Sequence, residues 1–147
     1  MNELTFVIIK PDAFERKLIG SIITRFEKMG LCITHIEERH KNITWCQNHY
    51  KHILEYCRIG TLDQQIYDRL ERFMTFSSTI GIILEGINAI NRVKKMIGLT
   101  DATKAEPGTI RGDWGQFPGC INLVHAADSI EAVKKEIELY FDKETDV

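Results

Sequence analysis

Leu4 to Ile9 is an apolar run that stops at Lys10-Pro11-Asp12, which reads as a buried strand ended by a proline unable to donate to a ladder. Beyond it Leu18, Ile19, Ile22, Ile23, Phe26 and Met29 recur at helical spacing until Gly30, predicting a helix closed by glycine. Residues 31–38, carrying β-branched side chains, predict a second strand. Residues 44–56 and 62–74 predict two helices separated by Arg58-Ile-Gly-Thr61. Residues 79–84 read as a third strand, and Gly86 precedes a helix marked by Ile87, Ile90, Met96 and Ile97 that Gly98 closes. The stretch 99–119 holds two prolines and four glycines with little periodicity, a long loop of the kind that is functional when ordered. Cys120, Ile121, Leu123 and Val124 read as a short buried strand, and residues 129–141 as a terminal helix.

The order is β-α-β, extra helices, β-α-β. It predicts one α+β domain over residues 1–147 with a ferredoxin-like (βαββαβ) arrangement. That arrangement is a four-stranded antiparallel sheet with helices on one face, a helical insertion in the middle, and loops building a site at the rim. A 44% hydrophobic content fills a single core. Charge is balanced at 27% charged residues and a net −2, so no global basic field recruits nucleic acid and any phosphate site must be local. The longest early apolar run, Phe6 to Ile9, is too short for a signal peptide or a membrane span, which predicts a cytoplasmic protein. Cys32, Cys46, Cys57 and Cys120 form no C-x-x-C pair, so they read as reduced structural thiols.

The candidate chemistry lies in Pro107-Gly-Thr-Ile-Arg-Gly-Asp113 and Asn122-Leu-Val-His-Ala-Ala-Asp-Ser129. His125 stands where the predicted last strand gives way to loop. It can be nucleophile, general base, metal ligand or ordinary polar residue, and the metal reading is the least favoured because no close set of His, Cys or carboxylate neighbours accompanies it in sequence. Asp128 and Glu131 sit at capping-box separation ahead of the terminal helix, whose N-terminus favours an anion near His125. Glu136 lies on the flank of that helix's core stripe and could orient the imidazole, though a solvated carboxylate is the bland alternative. Arg111, bracketed by glycines, can approach and clamp a phosphate; Lys10 is delivered to the sheet's rim; Lys94 interrupts an apolar helical stripe. Three cations at one rim would neutralise a polyphosphate, whereas each alone reads as a solvated charge. His35, His40, His49 and His52 read as surface or partly buried polar residues. No Walker-type or G-x-G-x-x-G loop is present.

With these residues assembled, the chain resembles the nucleoside diphosphate kinase family over nearly its full length. Phe6-Val-Ile-Ile-Lys-Pro-Asp-Ala13 is similar to that family's opening strand and lysine, and Leu84-Glu-Gly86 to its central strand end. The Pro107 and Asn122 segments are similar to its phosphate-binding loop and active-site signature. The resemblance implies exchange of the terminal phosphate between nucleoside triphosphates and diphosphates through a phosphohistidine at His125, with Mg²⁺ carried by the nucleotide rather than by a protein metal site, and assembly as a homo-oligomer. It implies that Glu136 orients His125, that Tyr50 and Lys10 assist at the transferring phosphate, that Thr100 and Arg111 hold the other phosphates, and that Asn122 contacts the sugar. Ile66 or Tyr67 would stack on the base beside Leu70. The chain departs from the pattern at Lys94, where the family has arginine, and at Ala127, where it has serine. Residues 50–74 are longer than usual and one residue is added between Arg111 and Asn122. These departures motivate an alternative, a catalytically weakened nucleotide sensor of the same fold. An RNA-binding module is a further alternative, without the aromatic patterns that such modules use.

Overall fold

The computed structural model describes residues 1–116, 119 and 121–147. In chain order the elements are β1 (Asn2–Ile9), α1 (Pro11–Glu15), α2 (Ile19–Lys28), β2 (Cys32–Arg39), α3 (Ile43–His49), α4 (Lys51–Arg58) and α5 (Gln64–Thr75). They continue with β3 (Thr79–Ile87), α6 (Ala89–Ile97), α7 (Ile110–Trp114), β4 (Val124–Ala126) and α8 (Ile130–Phe141). The sheet order is β2-β3-β1-β4 with every neighbouring pair antiparallel, the ferredoxin-like order expected from the alternation of elements.

β1 is one of the two inner strands, and its residues Phe6 to Ile9 are buried on both faces. Its period-two alternation divides the core. Val7 and Ile9 pack with Phe26 of α2, Val93 and Ile97 of α6, and Leu123. Phe6 and Ile8 pack with Trp45 of α3, Tyr67, Leu70 and Met74 of α5, and Val133 and Tyr140 of α8. The crossover helices α2 and α6 therefore share one face, as expected. The inserted helices and α8 cover the other face, which an arrangement with helices on one face does not include.

Three local differences from the sequence reading matter for the site. The helix expected over 44–56 breaks at Tyr50, whose φ of −101° and ψ of 27° end α3 and begin α4; the break turns Trp45, Cys46 and Tyr50 inward. The loop after Gly98 contains α7, capped by the Thr109 hydroxyl accepting from the Gly112 N–H. The last strand is Val124–Ala126 rather than 120–124, so His125 lies inside it and not beyond its end. Cys120, the expected start of that strand, lies outside the described residues. Pairing explains the shift: Ile9, Ile8 and Val7 of β1 align with Val124, His125 and Ala126, while Asn122 and Leu123 bend in front of them.

Behind α8 the tail is strapped to the end of β2. Lys41, fully buried, donates to the Tyr140 carbonyl at 2.8 Å and to Asp146 Oδ1 at 2.5 Å, while Arg39 binds the second Asp146 oxygen.

Candidate active site

The sheet holds His125 by pairing opposite Ile8, with Val124 just before it and Ala127 two residues beyond it buried. From α8, Glu136 Oε2 comes to 2.8 Å from His125 Nε2, across a pair whose side chains are 23% and 17% exposed. The helix starts at Ser129, whose hydroxyl accepts from the Ala132 N–H; the capping pair is therefore Ser129 with Ala132 and not Asp128 with Glu131. From Ser129, Glu136 is two turns along the helix, on the side that returns to β4.

From α3 a third contact arrives. The His49 ring meets His125 edge to face, with centroids 4.6 Å apart, and itself stacks on Trp45 at 4.7 Å and 16°. Tyr50, at the α3–α4 break, places its ring 6.5 Å from His125. Burial, reinforced by the cations Lys10 and Arg111, lowers the His125 pKa to about 3, so the ring is neutral at pH 7 with a lone pair available. Burial raises Glu136 to about 7. His49 is likewise driven well below its ordinary value by burial and by His125.

Next to the nucleophile lies a buried polar network that joins β1, α7 and the bend before β4. Lys10 Nζ donates to Asn122 Oδ1 at 3.1 Å, and the Asn122 amide donates to the carbonyls of Thr100 and Gly119 at 2.9 and 2.6 Å. The Asp12 carboxylate, its pKa raised by burial, accepts the Leu123 N–H at 3.0 Å; the Leu123 carbonyl accepts the Lys10 N–H at 2.8 Å. Between these two anchors Leu123 has a φ of 78°, a left-handed conformation rare outside glycine. Arg111, 8% exposed, donates to the carbonyls of Gly98 at 3.0 Å, Asn122 at 3.3 Å and Val124 at 2.6 Å, and more weakly to Asn122 Oδ1 at 3.5 Å. Of its five N–H donors, four are thus directed at protein. Burial lowers its pKa to about 10 and leaves it cationic. Gly98 has a φ of 86°, and a Cβ there would come 2.6 Å from the Thr109 hydroxyl, so glycine permits α6 and the α7 loop to meet.

His125 faces two cavities. One, of about 680 Å³, is lined by Lys94, Lys95, Thr100, Lys104, Arg111 and Asp128, among others. The other, of about 330 Å³, lies toward α3 and α8 and is lined by His49, His52, Asp128, Lys135 and Glu136, among others. Of the residues singled out from the sequence, Lys94, Thr100, Arg111 and His125 thus share the larger cleft. Lys10 and Asn122 form the wall behind it, and Glu136 and Tyr50 flank the histidine. Lys94 sits beside the core stripe of α6, which runs through Ile90, Val93 and Ile97, and is exposed to the cleft. Tyr67 and Leu70 do not reach the cleft. They face the core between α5 and the sheet, because the α5 stripe Tyr67, Leu70, Met74 is the one that packs; Ile66 is 45% exposed.

Sequence reasoning passed over His49 and Asp12. His49 lies four residues after the buried Trp45 on one helical face, a spacing that would have pointed it inward. Asp12 offered no such pattern, since its partner is a backbone N–H distant in sequence. Lys95 and Lys104, also unassigned, add positive charge to the cleft.

Against known proteins, the family model described as nucleoside diphosphate kinase matches residues 3–145. A nucleoside diphosphate kinase of Methanocaldococcus jannaschii is 42% identical over 141 residues, covering 96% of this chain and 94% of its own. Nucleoside diphosphate kinase 3-A of Xenopus laevis is 35% identical over 145 residues, covering 96% of this chain and 78% of its own. The structure of a halophilic nucleoside diphosphate kinase from Halobacterium salinarum in complex with CDP matches with a TM-score of 0.84 at 36% identity, over 100% of this chain and 92% of that one. A transition-state mimic of the Borrelia burgdorferi enzyme with bound vanadate and ADP matches with a TM-score of 0.85 at 26% identity, over 99% of this chain and 90% of that one.

Proposed function

This chain belongs to the nucleoside diphosphate kinase family and is a nucleotide phosphotransferase, and we propose that it works by a ping-pong exchange in which His125 carries the phosphate. The observation that carries this reading is the His125–Glu136 pair. Glu136 engages Nε2, so the proton resides there and Nδ1, which has no hydrogen-bond partner among the described residues, keeps its lone pair. In the first half-reaction Nδ1 attacks the γ-phosphorus of the triphosphate, the bond from that phosphorus to the bridging oxygen breaks, and the diphosphate leaves. The Nε2 proton stays on the hydrogen bond to Glu136, whose carboxylate offsets the positive charge that the ring acquires. In the second half-reaction a terminal oxygen of an acceptor nucleoside diphosphate attacks the same phosphorus and the N–P bond breaks, returning His125 to its starting form.

Such a transfer needs alignment and stabilised equatorial oxygens more than acid–base machinery. The cleft supplies cations for this: Lys94 and Arg111 line it, and the Lys10 charge lies close behind. Thr100 adds a hydroxyl at the cleft surface, and Tyr50 borders the histidine from the α3 side. Arg111 has one N–H beyond its four protein bonds, so it contributes mainly through its charge and through the carbonyls it fixes. The Asn122 amide hydrogens are held by Thr100 and Gly119, so a sugar contact at Asn122 requires exchange of one of those bonds. Of Ile66, Tyr67 and Leu70, Ile66 is the exposed one, and within the cleft Leu99 is an exposed apolar side chain that a base could meet.

The donor set suits Mg²⁺ borne by the nucleotide: cations dominate the cleft lining, and Asp128 and Glu106 are the carboxylates there that could receive its waters. When bound, the ion neutralises phosphate charge. No helix among the described residues is long and apolar enough to cross a membrane. Assembly with further copies of the chain belongs to the same reading; β2 is an edge strand with a mostly exposed surface, and light scattering would give the mass.

Brief incubation with γ-labelled ATP and Mg²⁺, followed by addition of a nucleoside diphosphate, tests the mechanism. Acid-labile, base-stable label that is discharged onto the diphosphate is expected. Label retained by His125→Ala would refute the acceptor, and label that forms but is not discharged would favour the weakened sensor.

A further inference from the structure

We propose that His49, His125 and Glu136 form a binding site for a borderline divalent transition ion of the zinc and cobalt class, and that filling it removes the phosphate-accepting ring from the reaction. The second half of this rests on His125 being the acceptor; the first does not.

One ligand atom from each of the three residues lies within 4.8 Å of the other two, the one such group of three among the described residues. They come from three elements that the core holds together: α3, β4 and α8. They open onto the 330 Å³ cavity, which His52 and Asp128 also line. A second observation points the same way. His49 Nδ1 is buried and has no hydrogen-bond partner among the described residues, a costly state for an imidazole nitrogen that a metal bond would relieve. The ring carrying it is clamped by the stack on Trp45, so part of the ordering that metal binding demands is already present.

Two imidazoles and one carboxylate are the donor set of three-ligand zinc, cobalt and iron sites, with positions left for water. Zinc-to-nitrogen bonds of about 2.0–2.1 Å separate neighbouring ligand atoms of a tetrahedron by roughly 3.3 Å. The Nε2–Oε2 pair at 2.8 Å must open by a fraction of an ångström and the widest pair must close, movements within the reach of side-chain rotation. Mg²⁺ prefers oxygen ligands and keeps its waters, so the magnesium that accompanies nucleotide does not compete for this site. Lys135, on the cavity wall, opposes a cation and limits the affinity.

Occupancy blocks transfer through the tautomer. Coordination at Nε2, the nitrogen beside Glu136, forms a metal–nitrogen bond with the Nε2 lone pair and moves the ring proton to Nδ1 by way of solvent. Nδ1–H has no in-plane lone pair, so no bond to phosphorus can form. Glu136, bound to the ion, is at the same time lost as an orienting acceptor. No electron changes hands, and release of the ion restores the original tautomer.

Cobalt(II) serves as the probe because its visible absorption reports coordination without reference to activity. Full-length wild type, His49→Phe and Glu136→Gln are titrated, with His49→Gln as a second variant should the larger ring disturb the fold. In parallel, labelling from γ-labelled ATP in excess Mg²⁺ is measured for each protein with and without buffered free cobalt. The expected result is a visible band saturating at one equivalent in wild type, and binding at least tenfold weaker in each variant. Wild-type labelling should slow about tenfold at free cobalt ten times its Kd, as for one blocking site. The same cobalt concentration should change the labelling rate of His49→Phe less than twofold relative to that variant alone. Absence of the band in folded wild type, or equal binding by wild type and the variants, overturns the site. Labelling unchanged at saturating cobalt overturns the inhibition. Cobalt bound through these residues in a wild type that never labels upholds the site and overturns the acceptor reading.

Discussion

Replacing Glu136 by alanine removes the acceptor of the His125 Nε2 proton while leaving the ring paired in the sheet opposite Ile8 and braced by His49. The bond is a 2.8 Å contact between a carboxylate and an imidazole whose side chains are 17% and 23% exposed, so water replaces it poorly. Hydrogen bonds to charged groups contribute about 1.5–3 kcal/mol. The bond strengthens as the ring becomes cationic, so the loss falls on the transition state and slows phosphorylation by about 10- to 150-fold. Glu136 lines the smaller cavity and not the nucleotide cleft, so nucleotide affinity should change less than threefold, by roughly 0.6 kcal/mol or less. Glu136→Gln keeps an oxygen acceptor without its charge and should fall between the two. Rapid-quench measurement of phosphohistidine formation at several ATP concentrations separates rate from affinity. A rate within twofold of wild type, or a loss confined to affinity, would refute the assignment of Glu136 as orienting group.

The pH profile follows from the same pair: Glu136, raised to about 7 by burial, is protonated below that pH and ceases to be an anionic acceptor. The kcat/KM value of the free enzyme should rise with pH through about 7 with a one-proton slope, and Glu136→Gln should flatten that limb; an unchanged limb counts against the assignment. Lys94→Ala removes an exposed cation of the cleft and should raise the KM for triphosphate about fivefold, equivalent to about 1 kcal/mol, whereas Lys94→Arg should hold it within about twofold. Asp12→Ala leaves the buried Leu123 N–H without its acceptor and should lower urea-unfolding stability by about 1–3 kcal/mol; a change below about 0.5 kcal/mol would show that another group takes over. Asp146→Ala strands the fully buried Lys41 ammonium on carbonyls alone and should cost about 3 kcal/mol, part of which Lys41→Met in the same chain should restore.

How much of this was legible in the sequence depended on where each signal resides. The apolar run through Phe6–Ile9 and the 3.6-residue stripes of α2, α6 and α8 are local, so element order and sheet class could be read directly. The Tyr50 break could not, because no glycine or proline marks it and the inward turn is set by packing of Trp45 and Tyr50 against α8 and the sheet. The start of β4 was misplaced for a related reason: apolarity at Ile121 and Leu123 reports burial, while strand pairing depends on register with Ile8, a partner over a hundred residues away. At the site, His125, Arg111 and Glu136 stood out through their local motifs and helical spacing. Asp12 carries its meaning in a contact with Leu123 that no local pattern encodes, and for His49 the spacing from Trp45 indicates an inward face but not the contact with His125.

One departure in the sequence, lysine at 94 beside an unaltered arginine at 111, has a structural reason. Both side chains line the cleft, and for attracting phosphate either cation would serve at either place. Arg111 also holds the scaffold, since its guanidinium gathers the carbonyls of Gly98, Asn122 and Val124 and so ties the end of α6 to the bend from which His125 is presented. That bend contains Leu123 at a φ of 78°, a conformation costing about 1–3 kcal/mol that persists only when its surroundings over-determine it. A lysine has one ammonium on a flexible stem and cannot reach three diverging carbonyls, so substitution there would release the bend as well as the ligand. Lys94 donates no side-chain hydrogen bond to any described residue, so nothing in the scaffold depends on a planar fork at that position. Arg111→Lys should consequently lower both thermal stability and the phosphorylation rate, and the rate loss should exceed what Lys94→Ala produces. Equal stability of Arg111→Lys and wild type would show that the bend is held by Asp12 and Lys10 alone.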